Sequence, residues 1–323
     1  MAEKTAIEWC DSTFNPWIGC TRVSPACDDC YAARSTPART LGIAWGAGES
    51  RRRTSVANWR MPLRWEREAE AFHAQHGRRR RVFCASLADV FDNEVPIAWL
   101  ADFLDLCRLT RHLDKLIVTK RIGNVRRRLS DAAEHARDVM LNPLLAAWLD
   151  AWLDGGGAPP DVWLIITVVD QKEAGRDIPK LLATHAAVRG LSIEPMLGPI
   201  DLGFHEPCDH ARRSCEEIGC WAGLDWVIVG GESGPRARPA NGDWYRSLRD
   251  QCAEADVPFL FKQHGEWIDV RDLRRLPGGG MPGFGTFDGC QHDMATDSVR
   301  IGKTSAGRLL DGVEHNGFPG SAT

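Results

Sequence analysis

Six short apolar runs, each ending in polar residues and each followed by a helix-length stretch or a turn, constrain this chain more than anything else in it. They are "RVFCASLADVF" (81–91), "LDKLIVTKR" (113–121), "DVWLIITVVDQ" (161–171), "RGLSIEPMLG" (189–198), "DWVIVGGESG" (225–234) and "VPFLFKQHG" (257–265). None alternates apolar with polar residues. That is the pattern of parallel strands buried on both faces. Helical patterns fill 95–111, 124–153, 177–187 and 242–255, the last behind an Asn or Asp cap. With a further strand near "AIEWCDS" (6–12) there are about seven β-then-α units. Such repetition predicts an α/β fold with right-handed crossovers: a parallel β/α barrel, complete or partial. No G-x-G-x-x-G follows the first strand, which weighs against a dinucleotide-binding sheet. The barrel is expected over residues 1–275, with a cysteine-rich insertion at 204–222. Residues 276–323 are expected to form a glycine-rich loop and a short C-terminal extension.

In a β/α barrel, chemistry sits at the C-terminal ends of the strands. Those ends are polar here: Ser86 and Asp89; Thr119, Lys120 and Arg121; Thr167, Asp170 and Gln171; Glu194; Glu232 and Ser233; Lys262 and Gln263. A single polar strand end marks only the chain emerging into water. Repetition over six strands points to a shared cavity. A carboxylate at the end of the apolar "LSIEP" run is costly to bury without a partner, and Lys262 is a candidate partner.

No apolar run approaches the roughly 20 residues that span a bilayer, and "MAEKTAIEW" has no signal-peptide core. The chain is therefore expected to be cytoplasmic, with no membrane partner. Eleven cysteines in a reducing compartment argue for metal or redox chemistry, not disulfides. Three of them, Cys20, Cys27 and Cys30, stand in "GCTRVSPACDDCYAA" with the spacing C-x6-C-x2-C. Three close thiolates suit zinc completed by a distant ligand or a water. They equally suit a 4Fe–4S cluster with one iron left open.

A three-cysteine loop after the first strand, a β/α repeat and polar strand ends together resemble the radical S-adenosylmethionine (radical SAM) superfamily. The usual spacing there is C-x3-C-x2-C, so the first gap is longer here. A closer resemblance is to a phage-associated, largely uncharacterised three-cysteine-motif family. It is carried by "IEWCDSTFNPWIGCTRVSPACDDCYA", "LSIEPMLGPIDL", "DWVIVGGESGPRARP", "PFLFKQHGEW" and "GKTSAGRLLDG". The resemblance implies that Cys20, Cys27 and Cys30 hold a 4Fe–4S cluster. The cluster would cleave S-adenosylmethionine to a 5′-deoxyadenosyl radical, the cofactor supplying the hard step. It also implies an electron donor such as flavodoxin or ferredoxin. Ser86, Asp89, Thr119, Lys120, Thr167 and Glu194 are the candidate cofactor-binding residues. Gln171, Glu232, Ser233, Lys262 and Gln263 are the catalytic or substrate candidates. The alternative is a zinc-binding barrel protein with a hydrolytic or nucleic-acid-binding role.

A second group, His205, Cys208, His210, Cys215 and Cys220, offers a zinc or auxiliary-cluster site. It lacks a C-x2-C pair, so free thiols in a surface insertion are the competing reading. Cys84, Cys107 and Cys252 fall in apolar contexts and read as core. The net charge of −4 gives no global attraction for a polyanion, but residues 51–81 carry ten arginines and three glutamates, with Trp59 and Trp65 among them. Arg51–Arg53 and Arg78–Arg81 are candidate phosphate contacts for a nucleic-acid base or nucleotide substrate; a solvated basic face is the bland reading. A peptide from a partner protein and a free metabolite are the competing substrate classes.

Overall fold

The computed structural model describes residues 3–204, 223–276 and 290–320. Its main sheet has seven strands: β1 (Ser12–Phe14), β4 (Arg80–Cys84), β5 (Leu113–Thr119), β6 (Val162–Thr167), β7 (Val188–Ile193), β8 (Trp226–Gly230) and β9 (Phe259–Gln263). Hydrogen-bonded neighbours follow the order β1-β4-β5-β6-β7-β8-β9. The pairs β1–β4, β4–β5, β5–β6, β7–β8 and β8–β9 are all parallel. The protein is thus an α/β protein on a parallel sheet. Among the described residues β1 and β9 end the order and do not pair with each other, so the pairing is open, as in a partial barrel. Every residue of β6 and β8 is buried, which is why those runs do not alternate.

The chain divides into two compact units, residues 1–166 with 183–189, and residues 167–182 with 190–323. In the first unit the short strands β2 (Trp17–Ile18) and β3 (Arg52–Arg53) pair antiparallel and close the excursion that carries the cysteines. Phe14, Trp17 and Phe103 pack together in its core, with ring centroids 6.0–6.3 Å apart. The expected helix 124–153 is two helices, Val125–Asp138 and Pro143–Leu153. Leu141 takes a left-handed backbone (φ 51°), and Pro143 starts the second helix behind an Asn142 cap.

In the second unit the helix expected at 177–187 spans Gln171–Leu182. It starts earlier because Asp170 Oδ1 accepts from the Glu173 N–H at 2.8 Å, an N-terminal cap. The expected cap on Gly242–Glu254 is Asn241. Residues 290–320, on the C-terminal side of the boundary expected at 275, contribute to two pairings. β12 (Ser298–Arg300) pairs antiparallel with β10 (Trp267–Asp269) and with β11 (Gln291–Asp293), so one small sheet draws strands from both sides of that boundary. Residues 315–317 then run back along β9. The Phe261 N–H donates to the His315 carbonyl at 3.1 Å and the Gly317 N–H to the Phe259 carbonyl at 2.9 Å. No helix among the described residues is long and apolar enough to cross a membrane.

Candidate functional site

The cysteine loop leaves β2 through Gly19, whose φ of 112° is a conformation side chains rarely adopt. A Cβ there would also press on Arg51 Cδ at 3.2 Å. The Gly19 N–H donates to the Leu87 carbonyl at 3.1 Å, and Gly19 bridges in parallel to Ala88. Ser24 caps the tight turn Pro25–Cys27 by accepting from the Ala26 N–H at 3.1 Å. Cys30 packs against Ile18, Ala32 and Leu87. The Tyr31 hydroxyl then donates to the Ser86 carbonyl at 2.8 Å. The loop is therefore tied to residues 86–88, just past β4, both before its first cysteine and after its last.

Cys20, Cys27 and Cys30 are free thiols, each partly buried. Burial, with Asp89 and Asp92 nearby, pushes the Cys20 thiol up to about 12 against the opposing pull of Arg121. Metal binding at Cys20 must therefore displace a proton. Among the described residues no three His, Cys, Asp or Glu side chains stand together as a ready metal site. The soft sulfur donors suit iron–sulfur or zinc chemistry, and the loop would have to gather them on binding.

The strand-end residues of the first unit hold one another. Ala85 takes a left-handed backbone (φ 66°), which turns the chain out of β4. Asn15 accepts from the Leu87 N–H at 2.7 Å and donates to Ser86 Oγ at 3.0 Å. Asp89 is buried and its oxygens are taken: it accepts from Thr119 Oγ1 at 2.8 Å, the Lys120 N–H at 2.9 Å and the Phe91 N–H at 3.0 Å. Asp89 and Thr119 thus tie the end of β5 to the residues that follow β4.

In the second unit Lys262 Nζ donates to Glu194 Oε2 at 3.2 Å, the pair anticipated from sequence. Glu194 Oε1 is buried and has no hydrogen-bond partner. Gly230 lies beside it, and a Cβ there would stand 3.3 Å from that oxygen. The Glu194–Pro195 peptide is cis. Gln263 is buried and donates to Ser233 Oγ at 2.8 Å, with its own Oε1 unpartnered. Two candidates are committed elsewhere. Glu232 is clasped by Arg238, which reaches both oxygens at 2.7–2.8 Å. Gln171 exchanges two hydrogen bonds with the Asp201 backbone. Thr167 is buried.

Several arginines of the basic stretch are held by partners within the first unit. The Arg51 side chain is 0% exposed and pairs with Asp92 at 2.7 Å. Arg53 lies 4.3 Å over Trp59 and pairs with Asp102; Arg78 grips Asp11; Arg80 lies 4.4 Å over Phe72. Arg51 illustrates that charge in a sequence does not say which partner folding brings to it. Conversely, Asn15 and Asp92 belong to the rim, and no motif marked them. Cys84, Cys107 and Cys252 are buried, as their apolar contexts suggested. Cys208, His210, Cys215 and Cys220, with His205, lie outside the described residues.

The model of a family described as a protein of unknown function, DUF5131, matches residues 4–319, and the chain belongs to that family. No curated protein and no solved structure shows significant similarity to the chain.

Proposed function

We propose that this protein is a radical SAM enzyme in which Cys20, Cys27 and Cys30 hold a 4Fe–4S cluster and S-adenosylmethionine is the co-substrate. One observation carries the reading: three free, partly buried thiols share one loop, and that loop is pinned through Gly19 and Tyr31 to residues 86–88. Sulfur is the donor that such clusters take, and three protein ligands leave the fourth iron open. Once bound, the cluster would supply one electron to the sulfonium of S-adenosylmethionine. A one-electron donor such as flavodoxin or ferredoxin is the partner this requires.

The chain's own residues have defined tasks in this reading. Asn15, Asp89 and Thr119 fix the rim against which the cysteine loop rests. In the second unit Glu194 Oε1 is an unused acceptor for an ammonium or hydroxyl group, and Lys262 a donor for a carboxylate. The amino-acid end of S-adenosylmethionine and a polar substrate both carry such groups.

Anaerobic reconstitution with iron and sulfide tests the proposal. About four iron and four sulfide per chain are expected. Cys20→Ala, Cys27→Ala and Cys30→Ala should each lose the paramagnetic signal of the reduced cluster. A colourless protein that takes up zinc and no iron would overturn the reading in favour of a zinc site.

A further inference from the structure

Two buried arginines from distant parts of the first unit converge on Thr21, the residue after Cys20. Arg51 Nη2 donates to Thr21 Oγ1 at 2.5 Å, and Arg121 Nη2 donates to the Thr21 carbonyl at 2.7 Å. The same Arg121 nitrogen lies 3.9 Å from Cys20 Sγ, within hydrogen-bonding reach of sulfur. Asp92 joins the two guanidinium groups. Its Oδ2 accepts from Arg51 Nε at 2.9 Å, and its Oδ1 faces Arg121 Nη2 at 3.6 Å. The three side chains are 0%, 1% and 8% exposed for Arg51, Asp92 and Arg121. Glu94 stands 3.2 Å from Arg51, and Asp89 3.9 Å from Arg121.

A buried ion network is a weak source of stability, because every charge in it has lost its water. What it does provide is a fixed direction for its hydrogen bonds. Here both forks are aimed at the residue beside one thiol. Among the described residues neither Cys27 nor Cys30 receives a side-chain donor of this kind. The three thiols are therefore not equivalent.

We propose that Arg121 is a positioning residue for Cys20: it fixes the Thr21 peptide and sets a cationic N–H against the Cys20 sulfur, making Cys20 the electronically distinct ligand. This rests on the cluster reading given above. Hydrogen bonds to cluster sulfurs and nearby charge set cluster potentials. A cation against the sulfur favours the reduced, more negative cluster, so Arg121 raises the potential.

The test is redox titration of the reconstituted full chain, followed by the paramagnetic signal, for wild type, Arg121→Met and Arg121→Lys. Arg121→Met should weaken the reduction equilibrium about tenfold, which is ~59 mV more negative for a one-electron couple, and should change the shape of the signal. Arg121→Lys keeps the charge but not the fork, and should fall between the two. Thermal melts of the metal-free chains report folding separately. Lower melting temperatures with unchanged potentials and signals in both variants would make Arg121 merely structural and overturn the assignment, leaving the cluster reading intact. A wild type that takes up no cluster would overturn both.

Discussion

Lys262 spends its ammonium on one oxygen of Glu194, at 3.2 Å, and leaves the other oxygen buried and bare. A half-satisfied buried carboxylate is expensive unless something else completes it. Removing Lys262 should therefore cost more than the single hydrogen bond lost. Lys262→Met should lower stability by about 1–3 kcal/mol, read from urea unfolding. Glu194→Gln should be milder for stability but should weaken S-adenosylmethionine binding several-fold, measured by calorimetry on reconstituted protein. Unchanged affinity would remove Glu194 from the ligand site.

The adjacent glycines separate folding from binding. A Cβ on Gly231 would lie 1.9 Å from the His264 carbonyl oxygen and 2.9 Å from the buried Tyr245 hydroxyl. Backbone would have to move, so Gly231→Ala should sharply reduce soluble yield or melting temperature. A Cβ on Gly230 meets nothing closer than Glu194 Oε1 at 3.3 Å. Gly230→Ala should fold, with a small change in melting temperature, and lose ligand affinity by crowding that oxygen. Equal melting temperatures for the two variants would contradict this packing.

Acid should loosen the second unit through Asp311. Burial works against its charge, but hydrogen bonds from Arg249, Arg246 and Arg275 outweigh it and hold the carboxyl at about 2, below the ordinary 3.8. A lowered value means that the unfolded chain binds the proton more readily. The stabilisation is thus fully present above about pH 4 and is lost as pH falls toward 2. Its size is about 1 kcal/mol after solvent screening. Asp311→Asn should lower stability at neutral pH and flatten the curve between pH 4 and pH 2. Denaturant midpoints at a series of pH values would show it; parallel curves for the two proteins would refute it.

The strands were legible because burial on both faces leaves a sequence trace that survives any packing detail. β6 and β8 are uninterrupted apolar runs, and both are fully buried. The small sheet of β10, β11 and β12 was not, since three-residue strands such as Gln291–Asp293 carry no periodicity to read. The cysteines were legible as candidate ligands because thiols are scarce and their spacing is short. Arg121 was visible only as one of several polar residues at the strand ends. Its meaning comes from Thr21 and Asp92, 100 and 29 positions away, and only the fold brings those together. The partners of Asp89 were hidden for the same reason: Thr119 and the Lys120 amide reach it only in the fold.

The return of residues 315–317 along β9 has a temporal consequence. Trp226 Nε1 donates to the Gly317 carbonyl at 2.8 Å, and the Phe318 ring packs tilted against the same indole, centroids 5.1 Å apart, so the segment is seated in the unit and not merely laid over it. Gly317 is the residue that allows this, since a Cβ there would sit 2.7 Å from both Phe259 N and Phe259 O. On the ribosome, β9 emerges nearly sixty residues before its cover. At ordinary synthesis rates its hydrogen-bonding edge stays open for roughly 3–12 s. An open edge is a template for pairing with another chain. The interval when this protein is most prone to aggregate is therefore set by the ribosome, and a slow codon cluster between positions 264 and 315 would lengthen it without changing one residue of the product.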